Sequence, residues 1–237
     1  MGVFKLQKEY ASEYLYSKKK VNYQNTEKQF KTEAVFLKQM PSFGYNNLIA
    51  DWSFLKYIQY FGDTKERDKT GYSVITDYFE AIVKKDPRFV EANLSLSAAN
   101  SIFAARPEKT ISLLEKSSKF LSPNMQNHPY MIFVYKAVDE ILFFGNLEAA
   151  QKSYLEAARW AEKDSAVNKN VVQRFRKTVN FLATNPDSSY TQVAGWSMIL
   201  RANNDPKIQR YAIEKIKKLG GKIIVKADGE IIVKPPK

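Results

Sequence analysis

Gly145-Asn146-Leu147-Glu148-Ala149-Ala150-Gln151-Lys152-Ser153-Tyr154-Leu155-Glu156-Ala157 is the stretch on which the reading of the fold turns. Gly145 ends one apolar run, which begins behind His128-Pro129 and continues to Phe144, and it turns the chain into the next. After it, Leu147, Ala150, Tyr154, Ala157 and Ala161 recur at spacings of three and four, the period of one helical face. The small residues and the ring of Tyr154 therefore share a face, so a second helix can come close there. Two helices joined by a glycine turn make a helical hairpin.

The same grammar extends in both directions. Upstream, a helix is predicted from about 26 to 40, with Phe30, Ala34 and Leu37 at i, i+4 and i+7. Leu48 through Phe61 is hydrophobic nearly all round, as in a helix packed on two sides, with Gly62 as a left-handed stop. Asp51 in its midst is an isolated acid that is expected to cap or pair locally. After a charged loop, Tyr72, Ile75, Phe79 and Ile82 mark a helix closed by Asp86-Pro87. Another spans about 90–105, and Pro107 opens a further one at its first turn. Downstream, helices are predicted at about 167–183, 188–202 and 206–219. Two β-branched runs, Ile223–Lys226 and Glu230–Val233, flank Asp228-Gly229, a hairpin turn signal. A lone hairpin is marginal in water, so this one is expected to dock on the last helices. Phe4, Leu6, Tyr10 and Tyr14 carry a weaker helical pattern. The chain thus reads as an N-terminal segment over 1–25, weakly ordered or membrane-proximal, a helical domain over 26–221 and a β-hairpin over 222–237.

Gly145, Ala150, Tyr154 and Ala157 resemble the tetratricopeptide repeat, in which an aromatic and small residues pack between two helices and a proline often ends the unit. A looser match ends at Pro87, with Phe79 as its aromatic and Ile82 at a usually small position, and a third ends at Pro123 with Ser118 there. The likeness covers roughly residues 46–164. It implies an all-α, right-handed superhelical stack of helical hairpins whose inner face binds a protein partner. The residues implied for that face are Asn93 and Ser97, then Ile132, Tyr135, Asp139 and Phe143. They lack the paired Lys and Asn with which some such repeats grip a C-terminal carboxylate, and they suit a peptide or helix with apolar anchors. Residues 41–52, Tyr60–Asp63, Asp86–Phe89 and Leu219–Lys222 are also similar to cyanobacterial tetratricopeptide-containing proteins. That resemblance implies a scaffold or assembly factor near photosynthetic membrane complexes; relatives of that kind carry a hydrophobic N-terminal segment that this sequence lacks, and thylakoid association is expected only if such an anchor precedes it.

The net charge of +12 is unevenly spread. Residues 41–165 hold 15 basic and 16 acidic side chains, whereas residues 166–237 hold 14 and 5. Arg174, Arg176, Lys177, Lys215, Lys217 and Lys218 are the candidate basic patch, suited to an acidic protein or an anionic membrane surface. Nucleic acid is the weaker reading, because no recognised motif and few interleaved rings accompany these charges. Cysteine is absent, which excludes disulfides and thiolate chemistry. The one histidine, His128, precedes a proline at a helix start and is expected to be a surface or capping residue. With no phosphate loop, metal-ligand spacing or nucleophile–base pattern, no cofactor is expected and the chain reads as a non-enzyme. No run reaches the roughly 20 apolar residues of a membrane-spanning helix, so a soluble or peripheral membrane protein is expected.

Overall fold

The computed structural model describes residues 23–226, 229 and 231–236. The pattern at Phe4, Leu6, Tyr10 and Tyr14 and the turn residue Asp228 lie outside them. Among the described residues the protein is all-α with a small C-terminal antiparallel hairpin. The helices are α1 (Tyr23–Gln39), α2 (Asn46–Gly62), α3 (Thr64–Thr70), α4 (Ile75–Lys85) and α5 (Val90–Leu96). The last runs without a break into a π-helical segment, Ser97–Phe103. Then come α6 (Pro107–Ser118), α7 (Met131–Phe144), α8 (Leu147–Ala161), α9 (Lys169–Ala183), α10 (Ser189–Ala202) and α11 (Pro206–Lys218). Strands β1 (Lys222–Val225) and β2 (Ile231–Lys234) pair with Lys222 opposite Lys234 and Val225 opposite Ile231.

Sequence chemistry accounts for most boundaries. Gly145 takes φ +60, a left-handed cap that receives the ends of α7, and Asn146 caps α8 through its side chain. Pro107 and Pro206 occupy first-turn positions, and Asp205 caps the backbone of Lys207. Three expectations are corrected. Gly62 is the last residue of α2 and has no positive φ; the chain ends the helix at Asp63, whose carboxylate instead caps α3 through the Glu66 amide. The charged loop that follows therefore contains a helix, and Gly71 (φ +73) supplies the left-handed turn. The predicted helix over 90–105 changes to π geometry at Ser97 and ends before Ala105, which itself sits at φ +55.

The N-terminal half builds one large core from α1, α2, α4, α5, the π segment and α6, centred on Tyr60, Tyr78, Phe79, Ile82, Leu96 and Leu114. From α7 onward, helices pack against their sequence neighbours, α7 on α8 and α8 on α9, while α10 folds back onto α7. Ala137, Leu147, Ala150 and Leu182 form the seam among α7, α8 and α9, with Tyr154 packed against it. The small-residue spacing after Gly145 does this: with only methyl groups in the way, the helix backbones approach. The hairpin lays Ile223, Ile231 and Val233 on the cluster of Phe143, Trp196, Ile199 and Ile216, so it docks on the last helices as expected.

Gly195 sits where α10 comes close to α7. A Cβ there would lie 2.9 Å from the carbonyl oxygen of Leu142 and 3.0 Å from its Cβ. Gly195→Val is therefore expected to lower stability by about 1–3 kcal/mol through overpacking, read as a lower urea midpoint. An unchanged midpoint would show that the two helices do not meet there.

Candidate interaction surface

The residues predicted to line an open groove are inside the protein. Asn93, Ser97 and Asp139 are buried, as are Ile132 and Phe143, and Tyr135 is partly buried against the N-terminal core. The reason is packing: α7 turns this face onto α5, the π segment and α6. The polar groups are satisfied by one another instead of by a partner. Asn93 accepts from the Ser117 hydroxyl at 2.8 Å and donates to the Phe89 carbonyl at 2.8 Å. The hydroxyls of Ser97 and Ser101 reach the two oxygens of Asp139 at 2.8 and 2.5 Å. Ser101 also contacts Thr110 at 2.8 Å, and Thr110 accepts from Asn100, which in turn accepts from Thr76. Buried polar groups require such partners. Burial raises the Asp139 carboxyl to about 7, against the pull of the two serine hydroxyls and with a further push from Glu140.

The predicted basic patch is divided between two helices that do not pack face to face. Arg174, Arg176 and Lys177 are on α9, which packs on α8; Lys215, Lys217 and Lys218 are on α11, which packs on α10 and β1. Arg176 is held by both oxygens of Glu162 at 3.0 and 2.9 Å. The Lys215 ammonium lies 5.4 Å from the Trp196 ring centre and 5.2 Å from that of Tyr211. Arg174, Lys177, Lys217 and Lys218 are exposed. His128 is exposed and meets Asp164 at 2.9 Å, holding that carboxyl below its ordinary range. Among the described residues no group of three or more His, Cys, Asp or Glu is arranged to hold a metal ion. No helix among them is long and apolar enough to cross a membrane.

A cavity of about 680 Å³ opens between Arg67–Ser73, the end of the π segment and the α10–α11 connection. Its cations, Arg106, Arg201 and Lys207, face the acids Asp68 and Asp205. Arg67 also borders it, but its side chain has no exposed surface: Nη2 is paired with Glu66 at 3.0 Å, Nε is buried, and the guanidinium carbon lies 3.6 Å from the Tyr60 ring centre. A ligand in the cavity cannot reach those donors, so the space has charges of both signs and no convergent buried group.

The feature that stands out is the outer face of α2. Its inner face puts Ile49, Ala50, Ser53, Tyr57 and Tyr60 into the core. On the other side Leu48, Trp52 and Leu55, at i, i+4 and i+7, are 65%, 50% and 52% exposed. Tyr45 precedes them at 68%, and Ile58 follows at 48%. The ion pair of Lys56 with Glu33, 3.0 Å long, sets α1 alongside α2, and Phe36, one turn further along α1, is 61% exposed. Phe43 is 87% exposed and takes φ +46, an unfavourable backbone for a bulky side chain. Asp51, expected to pair locally, is exposed and makes no hydrogen bond or ion pair among the described residues. The sequence predicts α2 to be packed on two sides; the described residues cover one of them. Comparison with family models, with curated proteins and with solved structures finds no match for this chain.

Proposed function

We propose that this protein is a scaffold that holds another protein, and that it does so through the outer face of α2 and not through a concave groove. One observation carries the reading: Leu48, Trp52, Leu55 and Ile58 expose one side of a helix whose other side is core, and Tyr45 at its N-terminus, Phe43 in the preceding connection and Phe36 on α1 are exposed as well. With a whole aromatic side chain offering about 150–250 Å², these seven leave roughly 800 Å² in water, beyond the 300–600 Å² of a typical largest patch on a monomer. Keeping that much apolar surface wet costs free energy that contact with a partner recovers. On the motif resemblance, the proposal extends to a setting near photosynthetic membrane complexes. Attraction of an anionic surface to the basic C-terminal third is an auxiliary contact in this reading, because α9 and α11 present their charges separately.

The test is capture by immobilised full-length protein, with Trp52→Glu as the paired variant. Trp52 is half exposed and lies outside the buried core, with the Lys56 ammonium 5.6 Å from its ring centre, so the substitution is expected to leave the urea midpoint within about 0.5 kcal/mol of wild type. It is expected to abolish capture of a discrete set of proteins, and capture by wild type is expected to persist in high salt. Capture that ignores Trp52 but disappears with salt and with reversal of Lys215, Lys217 and Lys218 would replace this reading with anion binding.

A further inference from the structure

The scaffold reading above leaves open what sits on α2, and the spacing of the exposed residues answers it. Leu48, Trp52 and Leu55 on α2 are spaced by four and three, as the d, a and d positions of a heptad seam, and Tyr45, which caps the helix, stands three residues before them. In that register Asp51 falls at g and Lys56 at e. In a parallel pair of helices, a g residue faces the e residue five positions further along the partner helix. The separation from 51 to 56 is five. Two copies of α2 laid parallel therefore bring each unpaired Asp51 to the Lys56 ammonium of the other copy. Glu33 uses one side of that ammonium, and its remaining N–H donors stay free for the incoming carboxylate.

We infer that the occupant of this face is a second copy of the same chain, joined through a parallel α2–α2 seam with two Asp51–Lys56 pairs across it. Three observations converge on it. With the neighbouring Phe36 and Phe43, the exposed side chains offer roughly 800 Å² on each copy, and covering all of them matches the area per partner of a standard stable interface. The seam carries no charge of its own, so it is compatible with its own image. And Asp51, an exposed carboxylate with no hydrogen bond or ion pair among the described residues, meets a cation where the neighbour has the same sequence in the same direction. Phe36 and Ile58 border the seam on either side and extend its apolar rim.

The chain contains no cysteine, and this makes the arrangement directly testable on the full-length protein. Leu48→Cys places a single thiol at a d position, where two copies in parallel register bring their Cα atoms within the roughly 4.4–6.8 Å that a disulfide spans. Mild oxidation is expected to give a disulfide-linked dimer from Leu48→Cys and none from Asn47→Cys, which points away from the seam. Sedimentation equilibrium from about 1 to about 100 μM is expected to show a reversible dimer for wild type. Trp52→Glu is expected to weaken it at least about 100-fold, as for loss of a central aromatic anchor. Asp51→Lys, which sets Lys against Lys56 twice, is expected to weaken it about tenfold. A wild-type monomer throughout that range overturns the inference, as does a dimer indifferent to Trp52→Glu or one in which Leu48→Cys does not cross-link. If the chain is monomeric while Trp52→Glu still abolishes capture of another protein, or release from an anionic vesicle follows the same substitution, the second copy is the wrong occupant and α2 remains the binding face. If Trp52→Glu changes neither property, both readings fall.

Discussion

Arg67→Met is expected to cost about 3–5 kcal/mol at pH 7, the range for breaking a buried ion pair by removing one partner. That is a large part of the 5–15 kcal/mol that holds a typical domain together. Arg67 is inside the protein, with a side chain that has no exposed surface. Its Nη1 donates to Glu27 at 2.7 Å and to the Gly71 carbonyl at 3.0 Å, and Nη2 lies 3.0 Å from Glu66. Glu27 also accepts from the hydroxyls of Tyr60 at 2.8 Å and Ser73 at 2.7 Å. One guanidinium thus ties α1, α2, α3 and the 71–74 turn together. Met fills similar volume but leaves Glu27 and Glu66 facing each other with no cation between them.

The pH dependence gives this prediction a second arm. Burial already raises the Glu66 carboxyl above its ordinary value, and Arg67 pulls the other way. Without Arg67 the carboxyl rises further. A carboxyl raised in the folded state contributes stability that is complete below its unfolded value of about 4.3 and is lost as pH climbs through the folded value. The deficit of Arg67→Met relative to wild type should therefore be smallest near pH 4.5 and largest near pH 8. The triple change Arg67→Leu, Glu27→Gln, Glu66→Gln is expected to recover most of the loss, since a neutral set replaces an uncompensated one. Urea midpoints at the two pH values decide it. An Arg67→Met protein as stable as wild type at pH 8 would mean that this knot does not hold α1 and α3 to the core.

Nothing in the local sequence announces that knot. Glu27 and Arg67 are 40 residues apart, each in a run that reads as a solvated charged surface, and only the packing of α1 against α3 brings them together. The all-α class, the hairpin and most helix limits were legible, because they depend on local chemistry: apolar spacing, Gly145, Pro107, Asp205. The burial of Asn93, Ser97 and Asp139 was not. Their spacing does put them on one face, but a face is open or closed according to what packs on it, and that is a tertiary fact. The π segment was equally silent: Ser97 through Phe103 has no glycine or proline to signal it. For α2 the sequence said more than the fold did. Apolar residues on all sides predicted two packing partners, and the described residues supply one.

Asp139→Asn is the second substitution with a large expected effect, and its sign is opposite to the usual one for a buried hydrogen-bonded residue. Ser101 has one hydroxyl proton and two acceptors in reach, Thr110 at 2.8 Å and Asp139 at 2.5 Å. If the carboxyl is protonated, it donates to Ser101, which keeps its own proton on Thr110, and every contact is made. If it is ionised, Ser101 must turn to it, and Thr110 loses a donor while a bare charge stays buried. The neutral acid therefore fits the network better, in keeping with a folded-state value of about 7 against an ordinary 3.8. For such a raised group, stability is fully present below pH ~4 and is lost as pH rises to ~7, at most about 4 kcal/mol in all. Asparagine stays neutral throughout: its oxygen accepts from Ser97, and an amide N–H donates to Ser101. The variant is expected to lie within about 1 kcal/mol of wild type at pH 4.5, the cost of one imperfect hydrogen bond, and to exceed wild type by a few kcal/mol at pH 8. Comparing the two proteins at each pH removes the contribution of every other titrating group. A difference between them that does not change from pH 4.5 to 8 would show that Asp139 is as ionised in the fold as in water, with Ser101 committed to it and α6 joined to the π segment by the remaining contacts alone.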